Sequence, residues 1–414
     1  MMERRENPTK SFFLLKESKE PDIGFTTGTC ATAASMAAAR MLLTGENLSY
    51  VILTTPKGIK VCIEISDQEI SENEASCAVQ KFSGSDPDVT NGIKIFSTVR
   101  KIVTNSQRNG KEKSNESENR NWGIKILGGK GVGRVTLPGL DQKVGEAAIN
   151  RVPRKMILDG LRQELEGFNS RHPGKEIPEN LEVEISVPGG EEIARQTFNP
   201  KLGITGGISI LGTSGIVEPM SEQAVLDTIQ IEMNVRKAQG FSVLSLVPGN
   251  YGADFLQEEF GFSVERAVHC SNFVYDSVQK ARKTGFKKIL FCGHIGKLIK
   301  VAGGIKNTHS KYGDHRMEIL SEISSGFVSK NTFSSIYIQL TECISTEQAI
   351  HVLDSIDKGK TRALIMKEIS RRIQVQMTEW AGNEIETEVV IFTKEHGLLG
   401  YTEKAKEFIR EAQR

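Results

Sequence analysis

The sequence lacks any run of about 18 apolar residues, the length that a membrane-spanning helix needs. Its opening, MMERRENPTK, is charged and lacks the apolar segment of a secretory signal. It also lacks a dominant charge, because 53 Lys and Arg face 52 Asp and Glu. We therefore expect a cytoplasmic protein that binds neither membranes nor nucleic acid through a general electrostatic field. Recognition of a charged ligand would therefore depend on a local cluster of charged side chains.

Cysteine pairs with the CxxC spacing of redox or metal sites are absent as well. The chain is also far larger than the scaffolds that disulfides hold together. We therefore expect reduced thiols, most of them in the core. The cysteines are Cys30, Cys62, Cys77, Cys270, Cys292 and Cys343.

The length of 414 residues exceeds what one hydrophobic core usually serves, so two domains are predicted. Residues 1–22 are predicted to be a disordered N-terminus. Residues 23–237 are predicted to form an α+β domain with a mainly antiparallel sheet, because YVILTTPKGIKVCIEIS has the alternation of a hairpin. A polar segment at about 104–121 has too few apolar residues to fold and is predicted to be a mobile insertion.

Strand–loop–helix units are typical of residues 238–414. FSVLSLV runs into PGNYGADFLQEEFG, and KKILFCG runs into HIGKLIKVAGG. Repeated units of this kind predict a parallel sheet covered by helices, and thus a doubly wound α/β domain. Ligands of such sheets bind at the carboxyl ends of the strands. The cofactor candidates there are Gly249, Asn250, Gly252 and Gly293. The alternative is that the glycines only form tight turns.

Two glycine-rich stretches depart from the nucleotide loops that they resemble. GGKGVG is followed by RVTLPGL, which is typical of a strand and a turn instead of a helix. GHIGK has too few residues between its glycines, and Leu298 stands where Ser or Thr would hold magnesium. A phosphotransferase that uses ATP and magnesium is therefore a disfavoured alternative.

Polar clusters give further candidates, each with an ordinary structural alternative. Asp86 and Asp88 in GSDPDVTNG suit a base, a cation site or a turn. His309 in NTHSKYGDHRME suits proton transfer or a surface turn. This segment has no Glu or Cys at metal-ligand spacing, so no protein-bound metal is expected. Arg154 and Lys155 in INRVPRKMI lie at a helix start and suit a bound anion or a solvated turn.

The stretch GFTTGTCATAASMAAARMLLTG predicts a helix that begins after its threonines and ends at Gly45. Its alanines allow close packing of another backbone. One threonine is enough to cap the helix, so the additional hydroxyl and N–H donors also suit a carboxylate ligand.

Several segments occur in order from about residue 24 to residue 393: GFTTGTCATAA, GSDPDVTNG, GVGRVTLPGL, GEAAINRVPRKMI, FNPKLGITGGISILGTSGIVEPMS, PGNYGADF, CSNFVYDS and GHIGKLIKVAGGIKNTHS. Together they resemble the CbiD family, the cobalt-precorrin-5B (C-1)-methyltransferases of anaerobic cobalamin biosynthesis. The family pattern differs in having Asp at Ser85 and Pro at Ala147 and Arg151. It also usually lacks the long polar segment near residues 104–121.

The resemblance implies a Rossmann-like second domain and an enzyme that transfers a methyl group from S-adenosylmethionine to carbon 1 of cobalt-precorrin-5B. The products are cobalt-precorrin-6A and S-adenosylhomocysteine, and the cobalt belongs to the substrate. The implied partners are this substrate and neighbouring pathway enzymes, and no oligomeric state is indicated. The alternative function is a non-catalytic carrier of a tetrapyrrole intermediate.

The resemblance also suggests roles for the candidates. The four cofactor candidates would hold the methyl donor. The candidate bases, in order of preference, are His294, His309 and Glu218. The substrate's carboxylates need cations and N–H donors, for which the candidates are Thr26, Thr27, Thr29, Cys30, Lys130, Arg134, Arg154, Lys155 and Lys297. Replacing Thr27 and Thr29 by Val is expected to raise the Michaelis constant for the substrate without unfolding the protein.

Overall fold

The computed structural model describes residues 23–102, 122–219 and 221–414. The predictions for residues 1–22 and for the segment at about 104–121 lie outside the described residues. The chain forms two compact units, of which the first ends at Ser221 and the second begins at Glu222. No helix in the described ranges is both long and apolar enough to cross a membrane.

The first unit combines a few helices with several small sheets. Its helices are α1 (Thr27–Thr44), α2 (Arg151–Arg171) and α3 (Gly190–Ala194). Its strands are β1 (Gly24–Phe25), β2 (Tyr50–Thr54), β3 (Lys60–Glu64), β4 (Ser66–Ile70), β5 (Glu74–Gln80), β6 (Lys94–Lys101), β7 (Gly123–Gly128), β8 (Gly131–Val132), β9 (Arg134–Val135), β10 (Asn180–Ser186), β11 (Ile204–Thr205), β12 (Gly207–Ile208) and β13 (Ile216–Val217).

The largest sheet of this unit has the order β4-β5-β6-β10-β7. Its neighbours pair antiparallel, except for the parallel pair of β10 and β7. Strands β2 and β3 form the antiparallel hairpin that the sequence predicts. Apolar residues alternate along β10, where Leu181, Val183 and Ile185 are buried, because successive strand residues face opposite sides of the sheet.

Helix α1 is the buried centre of the first unit. It begins where Thr26 accepts a hydrogen bond from the Thr29 N–H and ends at Gly45, whose left-handed φ of 75° confirms the predicted C-terminal cap. Helix α1 packs against α2 and the β5–β6 part of the sheet. Gly160 of α2 lies so close that a Cβ there would stand 2.8 Å from Met36 Cγ. Small side chains therefore permit this close packing.

The second unit is built on one five-stranded sheet. Its strands are β14 (Val243–Val247), β15 (Val268–His269), β16 (Lys288–His294), β17 (Glu386–Thr393) and β18 (Gly397–Tyr401). They lie in the order β15-β14-β16-β17-β18, and all neighbours pair parallel except β17 and β18, which pair antiparallel. Its helices are α4 (Glu222–Ala238), α5 (Asn250–Phe260), α6 (Val274–Thr284), α7 (Ile295–Ala302), α8 (Arg316–Ser325), α9 (Lys330–Glu342), α10 (Thr346–Asp357), α11 (Lys360–Trp380) and α12 (Ala405–Ala412).

The central strands of this sheet are buried on both faces, because alternate residues enter two different apolar clusters. Leu244 and Phe291 pack with residues of α7 and α11. Val247 and Cys292 pack with residues of α5 and α12 on the opposite face. Helices therefore cover both faces, as strand–loop–helix units dictate.

The division between the units differs from the predicted boundary near residue 237. Helix α4 contributes Ile229 and Met233 to the core of the second unit, so the structure places this helix after the boundary instead of before it. The sequence pattern marked the first strand of the second sheet and missed the amphipathic helix that precedes it.

Candidate active site

A pocket of about 540 Å³ lies at the carboxyl ends of β14, β16 and β17. It includes most of the residues that the sequence predicts for a cofactor. Asn250 is the exception, because it begins α5 as an exposed residue and does not line the pocket. The predicted residues that line it are Gly249, Gly252, Gly293, His294 and Lys297.

Helices α5, α7 and α10 of the second unit begin at this pocket. Helix α7 is capped by His294, whose Nδ1 accepts the Gly296 N–H at 3.1 Å. Helix α10 is capped by Ser345, whose hydroxyl accepts the Gln348 N–H at 3.2 Å. Helix α5 follows Gly249 and has no side-chain cap. The first turn of α5 therefore presents N–H groups and the positive end of a helix dipole to an anionic group.

The pocket glycines are glycines for different reasons. A Cβ on Gly252 would stand 2.8 Å from the carbonyl oxygen of Cys292, and one on Gly293 would stand 2.4 Å from Leu298 Cδ1. Tight packing therefore explains these two. A Cβ on Gly249 would meet nothing within 4 Å, and its extended backbone, φ 176°, suits any residue. Neither packing nor backbone geometry accounts for Gly249, which leaves space for a ligand.

Both ring nitrogens of His294 have partners in the protein. Its Nδ1 accepts the capping N–H, so the neutral ring carries its proton on Nε2, which lies 3.2 Å from Glu347 Oε1. The edge of Phe392 limits the ring on another side, with centroids 5.8 Å apart. The imidazole is thus held in one orientation at the wall of the pocket.

The pocket rim carries cations and an aromatic ring. Lys297 is half-buried and donates to the Pro248 carbonyl at 3.2 Å, and burial lowers the pKa of its ammonium below the ordinary value. Lys394 Nζ lies 3.5 Å from the ring centre of Tyr251, a side chain that is 59% exposed. This arrangement suits a ligand that carries both an anionic group and a flat ring.

Sequence reasoning missed several residues at this pocket. Glu347 lies in the first turn of α10, and Lys394 and Glu395 follow the end of β17. The sequence KEHG follows an apolar strand directly. Because ligands of parallel sheets bind at the carboxyl ends of the strands, this position could have indicated pocket residues in the same way as it did for the glycines. It was overlooked because this segment lacks a glycine-rich loop.

The threonines at the start of α1 lie within the first unit and away from solvent. Thr27 Oγ1 accepts the Leu211 N–H at 2.8 Å, and Thr29 Oγ1 donates to the Gly215 carbonyl at 2.5 Å. Thr26, the helix cap, is 6% exposed. These contacts tie α1 to the loop at residues 209–215 and support capping and close packing as the role of the hydroxyls.

Thr27→Val and Thr29→Val are now expected to lower stability. Thr27→Val leaves the Leu211 N–H without its acceptor, and Thr29→Val removes one of the two donors to the Gly215 carbonyl; we expect a cost of about 1–3 kcal/mol. We expect urea unfolding of the first unit to shift accordingly, with an unchanged Michaelis constant in the protein that remains folded. A raised Michaelis constant at unchanged stability would instead support ligand contact by these threonines.

Cys30 is completely buried, and burial raises the pKa of its thiol to about 12. Thiolate reactivity therefore has no support at this residue. Cys343 is the partly exposed member of the six cysteines. We expect a thiol reagent at neutral pH to label Cys343 first in the folded protein and all six in denaturant; early labelling of Cys30, found by peptide mapping, would contradict this.

The basic residues of the first unit that are predicted to bind the substrate form two groups, which differ in whether the side chain is engaged by the backbone or exposed. Arg154 donates to the Ile149 carbonyl at 2.9 Å and approaches two further carbonyl groups, so it holds the backbone before α2. Lys130, Arg134 and Lys155 have exposed side chains. The second group is therefore accessible to an anionic ligand.

The remaining predicted residues do not line this pocket. His309 Nδ1 accepts the Lys311 N–H at 3.0 Å and caps a short turn. Glu218 is exposed and forms an ion pair with Lys57 in the first unit. Asp88 accepts a hydrogen bond from the buried Lys81 at 2.6 Å. These contacts support the turn and surface interpretations.

Comparison with known proteins identifies the family. The model of the CbiD family matches residues 14–219, and the model of the CbiD C-terminal domain matches residues 307–403. This chain belongs to the CbiD family. The pocket glycines lie between the two matched ranges, whereas Glu347 and Lys394 lie in the second of them.

Curated CbiD relatives match nearly the whole chain. A protein of Ruminiclostridium cellulolyticum is 40% identical over 97% of this chain and 99% of its own length. One of Alkaliphilus metalliredigens is 38% identical over 95% of each chain. Both are named cobalt-precorrin-5B C(1)-methyltransferase. A crystal structure of the cobalamin biosynthesis protein CbiD from Archaeoglobus fulgidus is 30% identical, covers 70% of this chain and 83% of that one, and has a TM-score of 0.36.

Proposed function

We propose that this chain methylates carbon 1 of cobalt-precorrin-5B with S-adenosylmethionine as donor, giving cobalt-precorrin-6A in the anaerobic cobalamin pathway of the cytoplasm. The observation that carries this proposal is the near-full-length similarity to relatives that bear this activity as their name. The parallel sheet with helices on both faces supports a Rossmann-like second unit.

The pocket of the second unit fits the methyl donor. Its volume, about 540 Å³, lies within the usual range of small-molecule sites. The uncapped first turn of α5 suits the carboxylate of the donor, and the exposed ring of Tyr251 suits its adenine. The open space at Gly249 allows the donor to approach the backbone. We propose that the donor lies along Gly249, Gly252 and Gly293, next to Asn250 at the start of α5.

Methyl transfer needs alignment more than chemical activation. The S–CH₃ bond of the sulfonium breaks as a C–CH₃ bond forms, and S-adenosylhomocysteine leaves as a neutral thioether. The macrocycle gains a methyl cation and must lose a proton to keep its charge. The protein therefore has to hold the donor in line with an electron-rich ring carbon, exclude water and provide for the departing proton.

His294 is the proposed proton acceptor, because among the three candidates it is the one that lines the pocket. The proton would enter at Nδ1 in place of the Gly296 N–H, and Glu347 next to Nε2 would stabilise the resulting imidazolium. Lys130, Arg134 and Lys155 remain proposed contacts for the carboxylates of the macrocycle. The methyl transfer itself is proposed to require no protein-bound metal, since cobalt belongs to the substrate.

Binding of S-adenosylmethionine distinguishes this proposal from its alternatives. We expect titration calorimetry with the full chain to show saturable binding of the donor and of S-adenosylhomocysteine, and no binding of ATP with magnesium. A carrier would bind the macrocycle with no affinity for the donor. That result, with a protein shown to be folded, would overturn the methyltransferase proposal.

A further inference from the structure

Two buried polar atoms beside the pocket face each other without a hydrogen bond. Glu347 Oε2 and His396 Nδ1 lie 3.5 Å apart, and neither atom has a hydrogen-bond partner among the described residues. Buried polar atoms without partners are rare in folded proteins, because each loses its hydration without compensation. This pair therefore calls for a bound group.

A third side chain completes the arrangement. Oxygen and nitrogen atoms of Glu347, Glu395 and His396 lie within 4.8 Å of one another, so that one ion can contact all three. Two ligand atoms at about 2.1 Å from a tetrahedral ion stand roughly 3.4 Å apart, which is close to the separation of Glu347 Oε2 and His396 Nδ1. The geometry therefore needs little change to hold a metal at this pair.

Glu347 and His396 each have a further partner that orients the side chain. His294 Nε2 approaches the other oxygen of Glu347 at 3.2 Å and leaves Oε2 free. His396 Nε2 lies 3.5 Å from Asp354, whose negative charge favours the ring proton on Nε2 and so leaves the Nδ1 lone pair available. Metal-binding histidines commonly show this carboxylate contact at the nitrogen that does not bind the metal.

Asp354 and Glu395 also have charged or imidazole partners of their own. Arg362 Nη1 contacts Asp354 at 3.1 Å, and His351 Nε2 contacts Glu395 Oε2 at 3.3 Å. Asp354 is therefore already engaged by a cation, which disfavours it as a direct ligand. A neighbouring set, His351 with Asp354 and His396, would require Asp354 to bind the ion and would leave the buried atoms of Glu347 and His396 unexplained.

We propose that Glu347, Glu395 and His396 bind a divalent first-row transition-metal ion. One imidazole nitrogen and two carboxylates suit Zn²⁺, an ion of borderline hardness, and also the harder Mn²⁺. The ion joins the start of α10 to the turn between β17 and β18, and it lies beside the pocket because Glu347 and Glu395 line both. The site shares Glu347 with the proposed methyl transfer, and it does not include the cobalt of the substrate.

Titration calorimetry of the chelator-treated, tag-free full chain with Zn²⁺ tests the site. We expect one ion per chain and a raised melting temperature on binding. Glu347→Gln and His396→Gln each remove a ligand, and we expect either change to lower the affinity at least about 100-fold. Asp354→Asn removes no proposed ligand but weakens the contact that orients His396, for which a loss of about 10-fold is expected.

Control variants separate this site from others. Cys343→Ser removes the nearby, partly exposed thiol and is expected to leave Zn²⁺ affinity unchanged. Circular dichroism and melting without metal show whether each variant is folded. Absence of stoichiometric binding would overturn the proposal and favour a protonated His396 paired with Glu347. Loss of binding in His351→Ala together with full binding in Glu347→Gln would also overturn it, because the ion would then belong to the neighbouring set.

Discussion

Gly249→Val is expected to lower kcat/KM for S-adenosylmethionine at least about 100-fold, which corresponds to roughly 2.7 kcal/mol. The physical reason is that Gly249 lines the pocket while a Cβ at this position meets no protein atom within 4 Å. The isopropyl group therefore occupies space that the donor needs. Because the extended backbone accepts any residue, we expect a free energy of unfolding within about 0.5 kcal/mol of the unchanged protein.

Gly252→Ala is the comparison variant for this prediction, because its added Cβ would meet protein atoms instead of open space. Its Cβ would stand 2.8 Å from the backbone oxygen of Cys292, which cannot move without disturbing β16. We expect this variant to lose about 1–3 kcal/mol of stability through overpacking. Melting curves and donor titrations on both variants separate the two effects. Full donor affinity in a folded Gly249→Val protein would contradict the placement of the donor in this pocket.

Arg40→Ala is expected to destabilise the first unit by about 3 kcal/mol. Arg40 of α1 donates two hydrogen bonds, of 2.7 and 2.6 Å, to Glu164 of α2, a side chain that is only 3% exposed. Removing the guanidinium leaves a buried carboxylate without its partner, which costs more than the pair contributes. Breaking a buried ion pair usually costs about 3–5 kcal/mol, and because Arg40 is partly exposed we expect a loss at the lower end of that range.

The unfolding of the first unit can be followed separately, because the chain has one tryptophan, Trp122, before the division and one, Trp380, after it. In a Trp380→Phe background, urea unfolding by fluorescence reports on the first unit. The double change Arg40→Met with Glu164→Leu is expected to be more stable than Arg40→Ala, because no charge remains buried. Equal stability of Arg40→Ala and the unchanged protein would show that the ion pair contributes nothing to the packing of α1 on α2.

Local patterns were sufficient for much of the fold. The end of α1 followed from Gly45, whose chemistry acts within one helical turn, whereas the sequence left open which threonine caps the helix, and the structure has Thr26 as the cap with Thr27 and Thr29 inside the helix. The β2–β3 hairpin followed from alternating apolar residues around a short turn. The pocket glycines followed from the rule that ligands bind at the carboxyl ends of parallel strands. Each of these features depends on residues that are close in the sequence.

Features that depend on distant residues could not be predicted in the same way. The threonine hydroxyls of α1 have the same local sequence whether they face a ligand or residues 209–215, and only the folded chain shows the latter. Glu347 and His396 meet because α10 and the turn after β17 pack together, and no spacing in the sequence records this contact. His309 lies in a polar cluster of the same composition as a site, yet its position outside the pocket is set by tertiary packing.

Anaerobic incubation of the full chain with cobalt-precorrin-5B and S-adenosylmethionine carrying a ¹³C-labelled methyl group is the most direct test of the proposed function. The product is analysed by mass spectrometry for the number of labels and by carbon NMR for their position. We predict one labelled methyl group at carbon 1, with S-adenosylhomocysteine formed in equal amount. A folded protein that binds the macrocycle and returns it without a label would contradict the account.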